Sequence, residues 1–330
     1  MALGAARRAR ALTRAGTKTR RGNLGQQIWR HKWCYVFMIP SLVLAALFTA
    51  YPIVASWYFS FLDWSGFTAE RTWIGLANYK EVIHDQYFWS AFGRSFLFMA
   101  ASVPPRLILA LIVALILNDQ ALKLAPIFRT LFFLPVVTTA AIVGIVMTFV
   151  FSPFNGPLNK ALLTVHILGR PIDFLGNPQT ALWTVIAVFI WKNFGITMIY
   201  WLAALQTIPT ELYEAARVDG AGARHLFTRI TVPLLTPFTI IITLITVVQT
   251  LRVFAIVQTM TGGGPFFASE VIEVYIYRTA FGTGGIPRLG YASAAAVFFG
   301  VTTFFIAIIQ GWGLRKANAA RKDYTAGGAA

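Results

Sequence analysis

The hydrophobic pattern of this chain is one of long apolar runs separated by polar segments. Six runs approach or exceed the length needed to cross a hydrocarbon core about 30 Å thick. They cover residues 33–59, 95–117, 130–151, 181–205, 238–257 and 291–312. Pro40, Pro52, Pro104, Pro105 and Pro135 fall inside them, which membrane helices tolerate better than soluble ones. The first run follows a basic segment but is too long for a signal peptide core, and no Ala-x-Ala-like cleavage site follows it. The pattern predicts an all-α, polytopic membrane protein with six transmembrane helices.

Composition agrees. Of 330 residues, 57% are hydrophobic and only 12% charged, and the mean hydropathy is +0.65. A soluble domain carries about a quarter charged residues, so this surface needs lipid as its solvent. The formal charge of +16 does not mark a nucleic-acid-binding face, because its placement is that of a membrane-orientation signal. With the amino terminus in the cytoplasm, 18 Lys and Arg fall in inner segments, nine of them within the first 32 residues, and seven in outer ones. That excess puts both termini inside a bacterial-type cytoplasmic membrane. Residues up to about Gln26 and the Gly- and Ala-rich end from Asn318 are expected to be disordered. The simplest organisation is a basic tail over 1–32, one membrane domain over 33–316 and a second tail over 317–330.

Cys34 is the only cysteine and the four histidines form no ligand pair, so no metal site is expected. No Gly-x-x-x-x-Gly-Lys-Ser/Thr occurs, so the chain encodes no phosphate cradle. No nucleophile–base constellation suggests an enzyme. An ion-coupled transporter is the alternative, but inverted repeats and acids within the spans, which would mark one, are missing.

The segment between the fourth and fifth runs, 206–237, is the most informative. Pro209 and Thr210 open a short helix with Glu211 in its first turn, where the helix dipole favours an acid. Leu212, Tyr213, Ala216 and Val218 supply an apolar side, and Gly220 and Gly222 end the helix. A second helical turn over 223–230 leads to Pro233 and the next span. Within this stretch Glu214-Ala215-Ala216, Asp219-Gly220-Ala221 and Ile230-Thr231-Val232-Pro233 closely resemble the Glu-Ala-Ala motif of permeases served by a substrate-binding protein. Gln206-Thr-Ile-Pro209, Leu131-Phe-Phe-Leu-Pro135 and Thr261-Gly262-Gly263-Gly264-Pro265 are similar to elements of the carbohydrate-importer branch, of the maltose-F-like and glycerol-phosphate-A-like type. The resemblance runs from Trp33 to about Lys316.

The resemblance implies the type I ABC importer permease fold and a non-catalytic subunit of a carbohydrate importer. Its partners would be a homologous second permease, two ATP-binding subunits that hold ATP and Mg, an extracytoplasmic solute-binding protein, and lipid. It implies that Glu214, Ala215, Ala216, Asp219, Gly220, Gly222 and Pro233 belong to the coupling loop that docks on the ATPase. The Gly262 to Pro265 turn would face the binding protein or close the outer gate.

Polar side chains inside spans are costly and mark a transport path by default. Lys192 and Asn193 in the fourth run, and Gln249 and Arg252 three apart on one face of the fifth, are candidates. The resemblance places these positions at the sugar cavity. Thr138 and Thr139 in the third run are further candidates, whereas Arg106 is expected to be structural. None of the 12 acidic residues falls within a run. Lys192 and Arg252 therefore look for their counter-charge to the second permease or to an anionic cargo.

Overall fold

The structure is a computed structural model that describes residues 29, 32–119, 121–282 and 285–327, with side chains described up to residue 313. The expectation for residues up to Gln26 lies outside the described residues. The chain divides into two units, Met1–Ala55 and Ser56–Ala330. The first holds helix α1 (Lys32–Ala45) and a π-turn (Ala46–Ala50), and the division falls within the helix that follows, α2 (Tyr51–Phe59). The π-turn has a local cause. Pro52 has no N–H and its ring crowds the preceding turn, so the helix widens there and Tyr51 N–H reaches back five residues to Ala46 O.

The second unit opens with a minimal antiparallel pair, β1 (Leu62–Asp63) and β2 (Thr72–Trp73), with Leu62 opposite Trp73. Helices follow as α3 (Ala77–His84), α4 (Gln86–Leu117), α5 (Ala125–Val137), α6 (Ala140–Val150), α7 (Pro157–Thr164) and α8 (Ala181–Leu205). Beyond them come α9 (Thr210–Val218), α10 (Ala223–Leu226), a second π-turn (Phe227–Thr231), α11 (Val232–Thr250), α12 (Phe254–Met260), α13 (Ile272–Phe281) and α14 (Leu289–Gly327). The second π-turn repeats the logic of the first. Val232 N–H bonds Phe227 O, one residue before Pro233.

Among the described residues five helical stretches are long and apolar enough to cross a membrane, or six when a bent pair is counted as one span. The fourth span, 181–205, coincides with α8. The second extends back along the chain to Gln86, because Asp85 caps it by accepting the N–H of Tyr87 at 2.7 Å.

Three expectations need correction. The third span is not one helix: α5 and α6 meet at 98°. Thr138 and Thr139 are both extended, and the Thr139 hydroxyl caps α6 at Ile142 N–H, so two β-branched residues restart the helix in a new direction. The fifth span starts far earlier, at Ala223, and stops at Thr250, so Arg252 lies in a break before α12 rather than on a helical face with Gln249. The end from Asn318, expected to be disordered, continues α14 to Gly327, in keeping with the helix propensity of its Ala, Arg and Lys residues.

Helix α8 is the axis of the second unit and packs against α4, α5 and α11. A side chain at Gly195 would collide with the Phe132 carbonyl, so glycine there lets the backbones of α8 and α5 approach closely. Two apolar clusters lie along α8. One gathers Leu182, Val185 and Phe189 with Phe98, Ile256 and Val271, and the other gathers Met198, Trp201 and Leu205 with Ala110, Leu235 and Ile242. Between them Lys192, Asn193 and Thr197 form a polar layer at mid-helix, level with Arg106 on α4 and Gln249 on α11.

Candidate functional site

That polar layer opens into a cavity of about 250 Å³. Lys192 and Asn193 from α8 and Gln249 from α11 line it, with Arg252 from the break after α11. Phe189 and Ile256 supply apolar wall, and Ala140, at the start of α6, borders it. The bends of the third and fifth spans thus both end at the cavity. Thr138 and Thr139, candidates from the sequence, form the bend itself and are not among the lining residues.

The chemistry of the lining is cationic. Lys192 is 8% exposed, and among the described residues no carboxylate lies within ion-pair reach of it. Asn193 Nδ2 donates to Phe189 O at 2.9 Å, which leaves its carbonyl oxygen as an acceptor. Arg252 is exposed. It also borders a larger apolar groove of about 770 Å³ between α11, α13 and α14, where Glu273 is another lining residue. The acid-free surroundings expected for Arg252 therefore need correction. The break after Thr250 turns it toward an acid that belongs to an outer segment in the sequence.

Behind the cavity, Arg106 is fully buried. Its Nε donates to Asn193 O at 3.1 Å and Thr197 Oγ1 at 2.7 Å, and its Nη2 donates to Gln249 Oε1 at 2.8 Å. The sequence singles out Arg106 as an intramembrane cation, but no spacing rule links it to partners 87 to 143 residues away.

The 206–237 segment forms a second candidate site. Helix α9 ends in a Schellman motif: Ala221 N–H bonds Ala216 O at 2.9 Å and Gly220 N–H bonds Arg217 O at 3.0 Å. Gly220 takes φ +81, the left-handed conformation this motif requires. Gly222 then precedes α10 with extended geometry. Tyr213 and Ala216 turn inward, and the Tyr213 hydroxyl meets Thr231 Oγ1 at 3.0 Å, pinning α9 to the base of α11. Glu214, Ala215, Asp219 and Pro233 are exposed. The apolar side expected for α9 is split: Leu212 and Val218 face outward, at 44% and 89% exposure.

The Gly262 to Pro265 turn is braced from within. Gly262 and Gly263 have φ +58 and +88, and Thr261 Oγ1 meets Ser269 Oγ at 2.7 Å. A further cluster escaped the sequence reading. Asp85 Oδ2 accepts hydroxyls from Tyr275 and, at 2.6 Å, Tyr291, joining the starts of α4 and α14 to α13. An acid flanked by aromatics carries no periodic signal that would have paired these three.

Residues 86–317 match the family described as "Binding-protein-dependent transport system inner membrane component". The chain belongs to that family, and it is a membrane-spanning permease subunit of an ABC transport system, in which ATP hydrolysis is the work of a separate subunit. It is 36% identical over 277 residues to the probable ABC transporter permease protein YurN of Bacillus subtilis (strain 168), covering 84% of this chain and 94% of the relative. It is 31% identical to the lactose transport system permease protein LacF of Rhizobium radiobacter, covering 86% and 94%. Among solved structures, a bacterial ABC transporter involved in the import of the acidic polysaccharide alginate has a chain of the same fold. The TM-score is 0.77 at 25% identity, over 89% of this chain and 99% of that one.

Proposed function

We propose that this permease imports an acidic carbohydrate delivered by an external binding protein, and that α9 receives the ATPase stroke that drives it. One observation carries the cargo reading. Lys192, Gln249 and Arg252 converge on one cavity that no carboxylate lines among the described residues. An anionic group is the partner that Lys192 lacks, Arg252 already sharing its other groove with Glu273, and charge-assisted hydrogen bonds are about twice as strong as neutral ones. The similarity to an alginate importer supports the reading; LacF, named for lactose, makes a neutral cargo the competing one.

Coupling is supported by the shape of α9. It is tied to α8 through the chain and to the base of α11 through the Tyr213–Thr231 bond, and it offers Glu214 with the exposed apolar side chains Leu212 and Val218 to a partner. The ATP-binding subunits would hold ATP and Mg on that cytoplasmic face, with both termini of this chain on the same side. A homologous second permease would close the path. The solute-binding protein would dock outside, where the Gly262 to Pro265 turn lies.

The test is uptake into proteoliposomes containing the complete transporter, with trigalacturonate and maltotriose as probes. The acidic trisaccharide should be preferred. Lys192→Gln and Arg252→Gln should each cut its uptake about tenfold or more, the scale of one lost charge-assisted hydrogen bond. A wild-type preference for maltotriose, or undiminished acidic uptake by both variants, would sink the cargo reading.

A further inference from the structure

Arg106 is not among the residues that line the cavity, yet its hydrogen bonds reach two that do, Asn193 and Gln249. A guanidinium has donors and no acceptor, so the Gln249 side chain can meet it only through its carbonyl oxygen. The amide NH2 of Gln249 is thereby left as the end available to the cavity. We infer that Arg106 is a positioning residue for cargo: by holding Gln249 Oε1 it fixes Gln249 as a hydrogen-bond donor beside Lys192 and Arg252. The inference rests on the cavity being the cargo site.

Two features set this apart from a simple tie between helices. First, the cation is fully buried with no carboxylate partner among the described residues, an arrangement that costs stability, whereas a neutral side chain could join α4 to α8 and α11 without that cost. Its Nη1 is buried without a hydrogen-bond partner among the described residues, so the site is not optimised as a cross-link. Second, a group that can only donate forces the oxygen end of an amide to face it. A glutamine, serine or threonine at position 106 would accept either end.

The experiment measures KM and kcat separately, in the complete transporter in proteoliposomes, for whichever of trigalacturonate, maltotriose and lactose the wild type takes up best. Gln249→Leu should raise KM about tenfold with little change in kcat, the pattern of a lost binding contact. Arg106→Gln should reproduce that rise, because the amide is then free to turn. Arg106→Gln combined with Gln249→Leu should raise KM no further than either alone, since both remove one interaction. Arg106→Lys, which can still only donate, should recover most of the affinity. Gln249→Glu keeps a partner for Arg106 while replacing the donor with an acceptor, so it should assemble normally and still bind cargo weakly. Additive KM effects in the double variant, or an unchanged KM in Gln249→Glu, would overturn the inference. The wild type's choice of sugar decides the cargo reading, whereas the ratio of variant to wild-type KM decides the role of Arg106.

Discussion

Glu273 Oε2 accepts the backbone N–H of Phe254 at 2.6 Å, so a side chain of α13 closes the start of α12, nineteen residues earlier in the chain. The break at 251–253 leaves N–H groups at that end without helical partners, and a carboxylate is the strongest acceptor a protein can offer them. The bond ties α12, beyond the break, to α13.

Removing that carboxylate should loosen the break. Glu273→Ala is expected to cost about 1.5–3 kcal/mol, the range for a hydrogen bond to a charged group. Glu273→Gln, which keeps an acceptor oxygen, should cost less. Thermal unfolding of the purified complex checks the order; equal melting temperatures for Glu273→Ala and wild type would remove Glu273 from this role.

The turn after α9 depends on a left-handed residue. Gly220→Ala should cost about 1–2 kcal/mol for placing a Cβ at φ +81. Gly220→Lys and Ala216→Lys should leave the subunit in the membrane while ATP hydrolysis continues without uptake. Both activities are to be measured in the same proteoliposomes. Normal uptake by both lysine variants would mean that α9 is not the coupling element.

Tyr213→Phe removes only the hydroxyl that meets Thr231 Oγ1. The expected stability loss is small, about 0.5–1.5 kcal/mol. The number of ATP molecules hydrolysed per solute transported should rise, because α9 would be less firmly tied to α11. An unchanged ratio would assign the stiffness of the joint to packing alone.

The cluster of Asp85, Tyr275 and Tyr291 makes a pH prediction. Burial pushes the Asp85 carboxyl up, but hydrogen bonds from the Tyr275 and Tyr291 hydroxyls and the N–H groups of Tyr87 and Phe88 outweigh it and hold the group below its ordinary value. A carboxylate depressed on folding stabilises the protein above its unfolded value of about 3.9 and loses that contribution as pH falls through the folded value. The melting temperature should therefore drop on acidification below about pH 4, and Asp85→Asn should flatten that part of the profile. An identical acid limb in wild type and Asp85→Asn would show that other carboxylates set it.

What was legible in the sequence follows from what is local. The 181–205 run maps onto α8 without adjustment, because a continuous apolar helix of spanning length needs only its own backbone bonds to form. The turn at Gly220 was equally local, since one residue type suits that φ. The bend at Thr138 and Thr139 left no comparable mark: both residues also occur within apolar runs, and only the packing of α6 against α12 makes the sharp turn worthwhile. The same holds for Arg252, whose neighbours depend on where α11 stops.

The sequence by itself determined that the chain crosses a membrane, that it carries no phosphate-binding loop, and that Lys192, Asn193, Gln249 and Arg252 are out of place in lipid. These conclusions depend on composition and on spacing within one helix. Only the tertiary structure decided that those four side chains share one cavity, that Arg106 dictates which end of Gln249 is offered to it, and that Glu273 stands beside Arg252. Hydrogen bonds between helices act at about 3 Å and join residues up to 143 positions apart. No periodicity along the chain encodes such pairings; they arise when α8 is enclosed and its polar band has to find partners.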